Sequence, residues 1–292
     1  MALNILNLSL ATDTPIKDSE RDLIGRAPFA ERLADILKSA AGPESLVIGL
    51  YGSWGSGKTS VINLVENELS RKDDDGKADV SIVRFEPWNY LTAEQLLAQF
   101  LKEVGDSLDK HAHGRRKLCG KLRGKRPELL NAFAAYSEAL LMTAGADASL
   151  AGVQLTGAAV TAFGNLLTSW LRKSTGRAGS VSAKKQRLEK ELLKYDGRVV
   201  VIIDDIDRLP NDQVRMVFQL VASLAKLPKI NYLLSFDEEV VTRALSEVQK
   251  CDGAEYLEKV VQVPVRLPSI SSGDLERMLL NDINAIFKAF AY

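Results

Sequence analysis

The chain has 292 residues, with 38 lysines and arginines balanced by 38 aspartates and glutamates. That length admits one large domain or two small ones, and the zero balance excludes a protein that coats nucleic acid along its whole length, leaving only local basic blocks for such contact. Cys119 and Cys251 lie far apart without metal-ligand spacing, which excludes a disulfide framework and fits a reducing compartment.

The N-terminal stretch from Met1 to Leu10 lacks a basic n-region, and asparagines break its apolar positions. It does not read as a secretory signal, so a cytoplasmic core is expected. Asp22 to Arg26 is a short extended approach to a helix reaching Ser39, with Phe29, Leu33, Ile36 and Leu37 on one face. Leu46 to Tyr51 is an unbroken apolar run of buried-strand type. Directly after it come Gly52, Ser53, Trp54, Gly55, Ser56, Gly57, Lys58, Thr59 and Ser60, which satisfy Gly-x4-Gly-Lys-[Ser/Thr] at every fixed position. The following helix, Lys58 to Ser70, turns Val61, Ile62, Leu64, Val65 and Leu69 inward.

That succession of strand, glycine-rich loop and helix is what phosphate binding requires. Glycines let successive N–H groups turn inward around anionic oxygens, and the helix N-terminus adds its positive end. Lys58 reaches the β- and γ-phosphates in this reading, and the Thr59 hydroxyl holds Mg²⁺.

Arg71 to Asp79 is charged, and its run Asp73–Asp75 reads as solvated loop. Val80 to Phe85 alternates as a strand and ends in the Pro87 turn. Leu91 to Leu108 is helical in pattern. The middle, 109–194, holds His111 and His113 in a basic stretch, which reads as solvated side chains rather than a zinc site.

Arg198 to Ile203 is a buried β-branched run ending in Asp204 and Asp205. A carboxylate at the carboxyl end of a parallel strand faces the ligand crevice. Asp204 is the natural Mg²⁺ partner of Thr59, and Asp205 is placed to orient or deprotonate a water. Arg208, in the same turn, has three open roles: stabilising phosphate charge, contacting a neighbouring subunit, or pairing with a nearby acid. A helix over Asp212 to Leu227 follows, then a strand, Ile230 to Asp237, whose end offers Ser235 or Asp237 as a sensor of the γ-phosphate. Glu238 to Lys250 is helical, and Val260 to Pro268 reads as a last strand whose prolines suit a sheet edge. Strands alternating with helices make this a three-layer α/β protein with a mostly parallel sheet.

Taken together, five stretches resemble the KAP-type P-loop NTPases, a family grouped with the STAND and AAA+ ATPases. They are Gly49–Ser60, Phe85–Tyr90, Val201–Leu209, Ser235–Val240 and Tyr256–Pro264. The resemblance implies a P-loop core with an additional strand (ASCE type), ATP rather than GTP, and an N-terminal segment lying over the adenine, here Leu23, Ile24, Gly25 and Arg26. It implies one domain over 1–292, with its core at 20–108 and 195–270, an inserted helical region at 109–194, and a C-terminal lid cut short at Tyr292. It also implies slow ATP hydrolysis driving a switch or motor subunit, a homo-oligomer, and protein partners in a multi-component system such as prokaryotic anti-phage defence. Arg208, Arg243, Lys259 and Arg266 are the candidates to act in trans. The alternatives are a membrane-associated signalling scaffold with negligible turnover and a nucleic-acid-handling ATPase.

The insertion leaves the location open. Ala148 to Leu171 carries no charge and has bilayer-spanning length. Because both halves of the site must share one side, a membrane form needs a hairpin over 129–171 with Leu129–Ala146 as its first arm. Basic flanks at Lys110–Arg126 and Arg172–Lys194 suit a hairpin at the inner face of the membrane. Against it, Glu138 at the bilayer centre costs about 2.5–3.5 kcal/mol. The competing arrangement is a helical pair off the membrane, whose basic arms contact nucleic acid or an acidic partner.

Overall fold

The computed structural model describes residues 14–39, 45–71, 80–90, 93–114, 126–143, 181–195, 197–249, 252–270 and 272–290. Five parallel strands form one sheet: β1 (Val47–Tyr51), β2 (Val80–Phe85), β3 (Arg198–Ile203), β4 (Ile230–Phe236) and β5 (Val263–Arg266). Their order is β2-β3-β4-β1-β5. One strand, β4, therefore stands between β1 and β3, which is the additional-strand arrangement implied by the family resemblance.

Helix α1 (Ala27–Ser39) and helix α2 (Lys58–Ser70) cover one face. They bury Ala30, Leu33, Ala34 and Leu37, then Val61, Ile62, Leu64, Val65 and Leu69, against Ile48, Leu50, Val200, Ile202 and Leu233. The opposite face is covered by α3 (Ala93–Gly114), α4 (Arg126–Thr143), α5 (Val181–Leu193), α6 (Asn211–Leu224), α7 (Glu238–Gln249) and α8 (Gly253–Val260). Side chains alternate across each strand, so Val47, Val199, Val201, Ile203, Tyr232, Leu234 and Phe236 supply that second core. This is a three-layer α/β fold. At the foot of the sheet, fully buried Asn231 closes the layers together: its Nδ2 donates to the Leu37 carbonyl at 2.8 Å, and its Oδ1 accepts the Leu46 N–H at 2.9 Å.

Several expectations are corrected. In α1 the inward face is Ala30, Leu33, Ala34 and Leu37, while Ile36 is exposed. Two alanines one turn apart, Ala30 and Ala34, let α1 lie close to α2, an arrangement that a search for large apolar residues overlooks. The last strand is only Val263–Arg266, because Asp252 caps a short helix through Ala254 N–H at 2.9 Å, which carries Val260 into α8. Val263–Arg266 does lie at the sheet edge, where Pro264 lacks no ladder partner that matters. A final helix, α9 (Ser272–Phe290), follows β5 and was not expected from periodicity.

In the insertion, α4 turns Leu129, Ala132, Phe133, Tyr136 and Ala139 inward, and most of these join α3 and α5 in the second core. The segment that would form the first arm of the alternative hairpin is thus a packed helix of the domain. Among the described residues no helix is long and apolar enough to cross a membrane. Residues 148–171, the run Asp73–Asp75 and both cysteines lie outside the described residues.

Candidate nucleotide site

The ends of β1 and β3 deliver the two halves of the candidate site to one crevice. After Tyr51 the chain turns through Gly55 (φ 73°) and Gly57 (φ 88°), both left-handed, and enters α2. A side chain at Gly57 would be strained by that φ, and its Cβ would come within 2.6 Å of Arg26 Nη1. Gly52 answers to a different constraint, since a Cβ there would meet Ser56 Oγ at 2.6 Å. Helix α2 has no side-chain cap at Gly57 and no acid in its first turn. Its leading N–H groups therefore suit an external anion.

Lys58 is buried, and its Nζ donates to the Gly52 carbonyl at 2.7 Å and the Ser53 carbonyl at 3.2 Å. The same nitrogen lies 3.8 Å from Asp207 Oδ2, so the phosphate loop abuts the turn after β3. Asp207 was missed in the sequence reading, although it sits two residues beyond Asp205. Its other oxygen is buried with no partner. Ser56 Oγ is likewise buried and unpaired.

Asp204 is 2% exposed, and its Oδ1 accepts the Asp205 N–H at 2.9 Å. Asp205 adopts a left-handed backbone (φ 58°) at the start of a 3-10 turn, Ile206–Arg208. Burial, then the neighbouring Asp204 charge, push the Asp205 carboxyl above its ordinary value, opposed by Arg208. Arg208 Nε holds Asp205 Oδ1 at 3.0 Å, and its guanidinium lies 4.7 Å from the Trp54 ring centroid. Of the three roles left open for Arg208, the ion pair is the one its geometry displays. Trp54 is 72% exposed, so this arginine–aromatic pair lies at the surface rather than in the core.

The remaining candidates separate clearly. Arg26 is buried, donates through Nη1 to the Ser56 carbonyl and through Nη2 to the Pro268 carbonyl at 3.0 Å, and follows Gly25 at φ 72°. Burial draws its pKa down, against the opposing Asp22. It braces the phosphate loop, while Ile24 beside it is half-buried. Ser60 Oγ accepts the Ile16 N–H at 3.3 Å, and Asn63 Nδ2 donates to the Ile16 carbonyl at 2.8 Å, so the N-terminal segment is strapped along α2. Thr59 is half-buried in the first turn of α2. At the end of β4, Asp237 Oδ1 accepts the Glu239 and Val240 N–H groups and starts α7. Ser235 is fully buried, its Oγ has no partner, and it pairs in register with Leu50, two residues before Gly52.

Three of the four arginines and lysines considered for action in trans are engaged within the chain: Arg208 as above, Lys259 with Glu255 at 2.7 Å, and Arg266 with Glu238 at 2.8 Å. Arg243 is exposed and makes no ion pair among the described residues. The donor set fits Mg²⁺: Thr59 and Asp204 offer oxygen ligands, and the buried unpaired oxygens of Asp207 and Ser235 show polar groups gathered here without protein partners.

A family model described as the KAP family P-loop domain matches residues 26–289. The Phage T7 exclusion protein of Escherichia coli (strain K12) is 25% identical over 288 residues, a match covering 94% of this chain and 37% of that protein. The chain thus spans less than two-fifths of the length of that curated relative. Among solved structures, the Aeropyrum pernix ORC1 protein in complex with DNA is similar with a TM-score of 0.41 and 16% identity, covering 95% of this chain and 52% of that one. The Aeropyrum pernix ORC2 protein, in ADPNP–ADP complexes, gives 0.40 and 12%, covering 90% and 52%.

Proposed function

The chain belongs to the KAP family of P-loop NTPases, and from that premise we propose that it binds Mg-ATP and hydrolyses it slowly as a switch. The observation that carries this reading is the meeting of Lys58 and Asp207 at 3.8 Å, which joins the phosphate loop to the acidic turn after β3. Thr59 and Asp204 would hold Mg²⁺, which when bound neutralises phosphate charge. Lys58 exchanges its two loop carbonyls for β- and γ-phosphate oxygens. The α2 N-terminus and the loop N–H groups orient the phosphates.

Hydrolysis then needs a water in line with the γ-phosphorus. Asp205 accepts the proton of that water as the new P–O bond forms; the bond to the β-phosphate oxygen breaks, leaving ADP and inorganic phosphate. A raised carboxyl pKa makes Asp205 a better proton acceptor than an ordinary aspartate. Arg208 holds this same carboxylate, so turnover is slow until that ion pair opens. Buried Ser235 is the better sensor than Asp237, whose carboxylate caps α7.

The ion pair also supports a second reading, a nucleotide-dependent scaffold with negligible turnover. Lys58→Ala should abolish ATP binding, while Asp205→Asn should keep binding and lower turnover about 10²-fold or more. Unchanged turnover in both variants rejects the enzyme. In biology we place the chain in phage exclusion, supported by the name of its curated relative. It would work at the cytoplasmic face as an oligomer, with Arg243 acting in trans and the basic flanks of the insertion contacting an acidic partner or a membrane surface.

A further inference from the structure

Arg84 is a cation near the end of the edge strand β2, and its guanidinium meets acids from three separate elements. Nη1 donates to Asn63 Oδ1 at 2.8 Å and lies 3.2 Å from Glu66 Oε2, both on α2. Nε lies 3.5 Å from Glu86 Oε1, just beyond β2, and Nη2 lies 3.6 Å from Asp204 Oδ2, just beyond β3. No other cation among the described residues makes an ion pair with Glu66, Glu86 or Asp204. Since the Asp204 Oδ1 already accepts the Asp205 N–H, both oxygens of this 2% exposed acid are engaged.

We propose that Arg84 is the positioning residue for Asp204: an internal cation that fixes the metal-holding acid before any metal arrives and fastens it to the phosphate-loop helix. The proposal rests on the reading of Asp204 as a Mg²⁺ ligand. A planar fork can span Asn63, Glu66 and Asp204 together, whereas a lysine ammonium is a single point charge. Without Arg84, three carboxylates from α2, β2 and β3 face one another with no counter-charge, and a divalent cation becomes the group that holds them together.

The test uses the full chain without nucleotide, melted with and without millimolar Mg²⁺ at matched ionic strength. Wild type should be indifferent to the metal. Arg84→Met should melt at least roughly 2–4 °C lower, a scale set by domain size, and Mg²⁺ alone should restore at least half of the loss. Adding Glu66→Gln to Arg84→Met should restore part of it without metal. A fall in Arg84→Met that ignores both Mg²⁺ and Glu66→Gln overturns the proposal, because it shows a packing role only.

Arg84→Lys keeps the charge and serves if the methionine variant does not fold. It should need roughly ten-fold more Mg²⁺ to tighten a fluorescent ATP analogue, as for a changed outer-shell partner, while binding in EDTA stays within about two-fold. A Mg²⁺ dependence equal to wild type rejects the proposal. Failure of the nucleotide reading looks different: wild type would bind no ATP, while the metal response of nucleotide-free Arg84→Met would remain.

Discussion

Gly57→Ala tests how the phosphate loop is held. At φ 88° an alanine sits in the left-handed region, which costs about 1–2 kcal/mol. Its Cβ would also come within 2.6 Å of Arg26 Nη1, so the guanidinium must withdraw from the Ser56 carbonyl. A hydrogen bond from a charged donor contributes about 1.5–3 kcal/mol, so the substitution should destabilise by roughly 2.5–5 kcal/mol in all. For a domain of this size that lowers the melting midpoint by roughly 5–15 °C. Arg26→Ala alone removes the bonds to both the Ser56 and Pro268 carbonyls and should lose about 3–6 kcal/mol. The two effects share one bond, so the double variant should fall short of the sum by about 1.5 kcal/mol or more, measured by urea unfolding of all four proteins. Agreement of the double variant with the sum to within about 0.5 kcal/mol would refute the bracing role of Arg26.

Ser235→Ala removes a buried, unpaired hydroxyl, so nucleotide-free stability should hold or rise by about 1 kcal/mol while ATP turnover falls; a loss of stability by calorimetry argues against an orphan. Asp237→Ala should lose about 0.5–2 kcal/mol with α7 uncapped and leave ATP affinity unchanged, as titration calorimetry would report. Asp205 has a folded pKa above its unfolded one, so its contribution is unfavourable at neutral pH and vanishes as pH falls through the folded and then the unfolded value. Asp205→Asn should therefore melt higher than wild type at neutral pH, and the advantage should shrink on acidification below the ordinary aspartate range. An advantage that grows in acid has the wrong sign.

Much of the fold was legible because local pattern and tertiary demand agree. Strands Val80–Phe85 and Arg198–Ile203 and helix Lys58–Ser70 fall where apolar runs and the glycine loop put them. The failures are short or non-local. Helix Gly253–Val260 turns on one aspartate cap and lies against a valine-rich run that reads as strand. Arg84 could be seen only as an outward residue of an alternating strand, since Glu66 and Asp204 converge on it from distant parts of the sequence to join the neighbouring Glu86. Similarly, Asp237 at the end of β4 is consumed as a helix cap while the Ser235 hydroxyl is left without a partner, a distinction that spacing alone does not reveal.

Strands β2 and β3 are neighbours in register, Phe85 beside Ile203, with β2 at the outer edge. The chain leaves the sheet at Phe85, the carboxyl end of β2, and returns at Arg198, the amino end of β3, so whatever lies between begins and ends at fixed points on neighbouring strands. Doubling the length of such an excursion adds only about 0.6 kcal/mol of closure entropy. Provided α3, α4 and α5 still cover their face, the rest of the excursion is an exchangeable cassette. Evolution, or an engineer, could substitute new recognition sequences there while the phosphate loop, two strands away, kept its geometry.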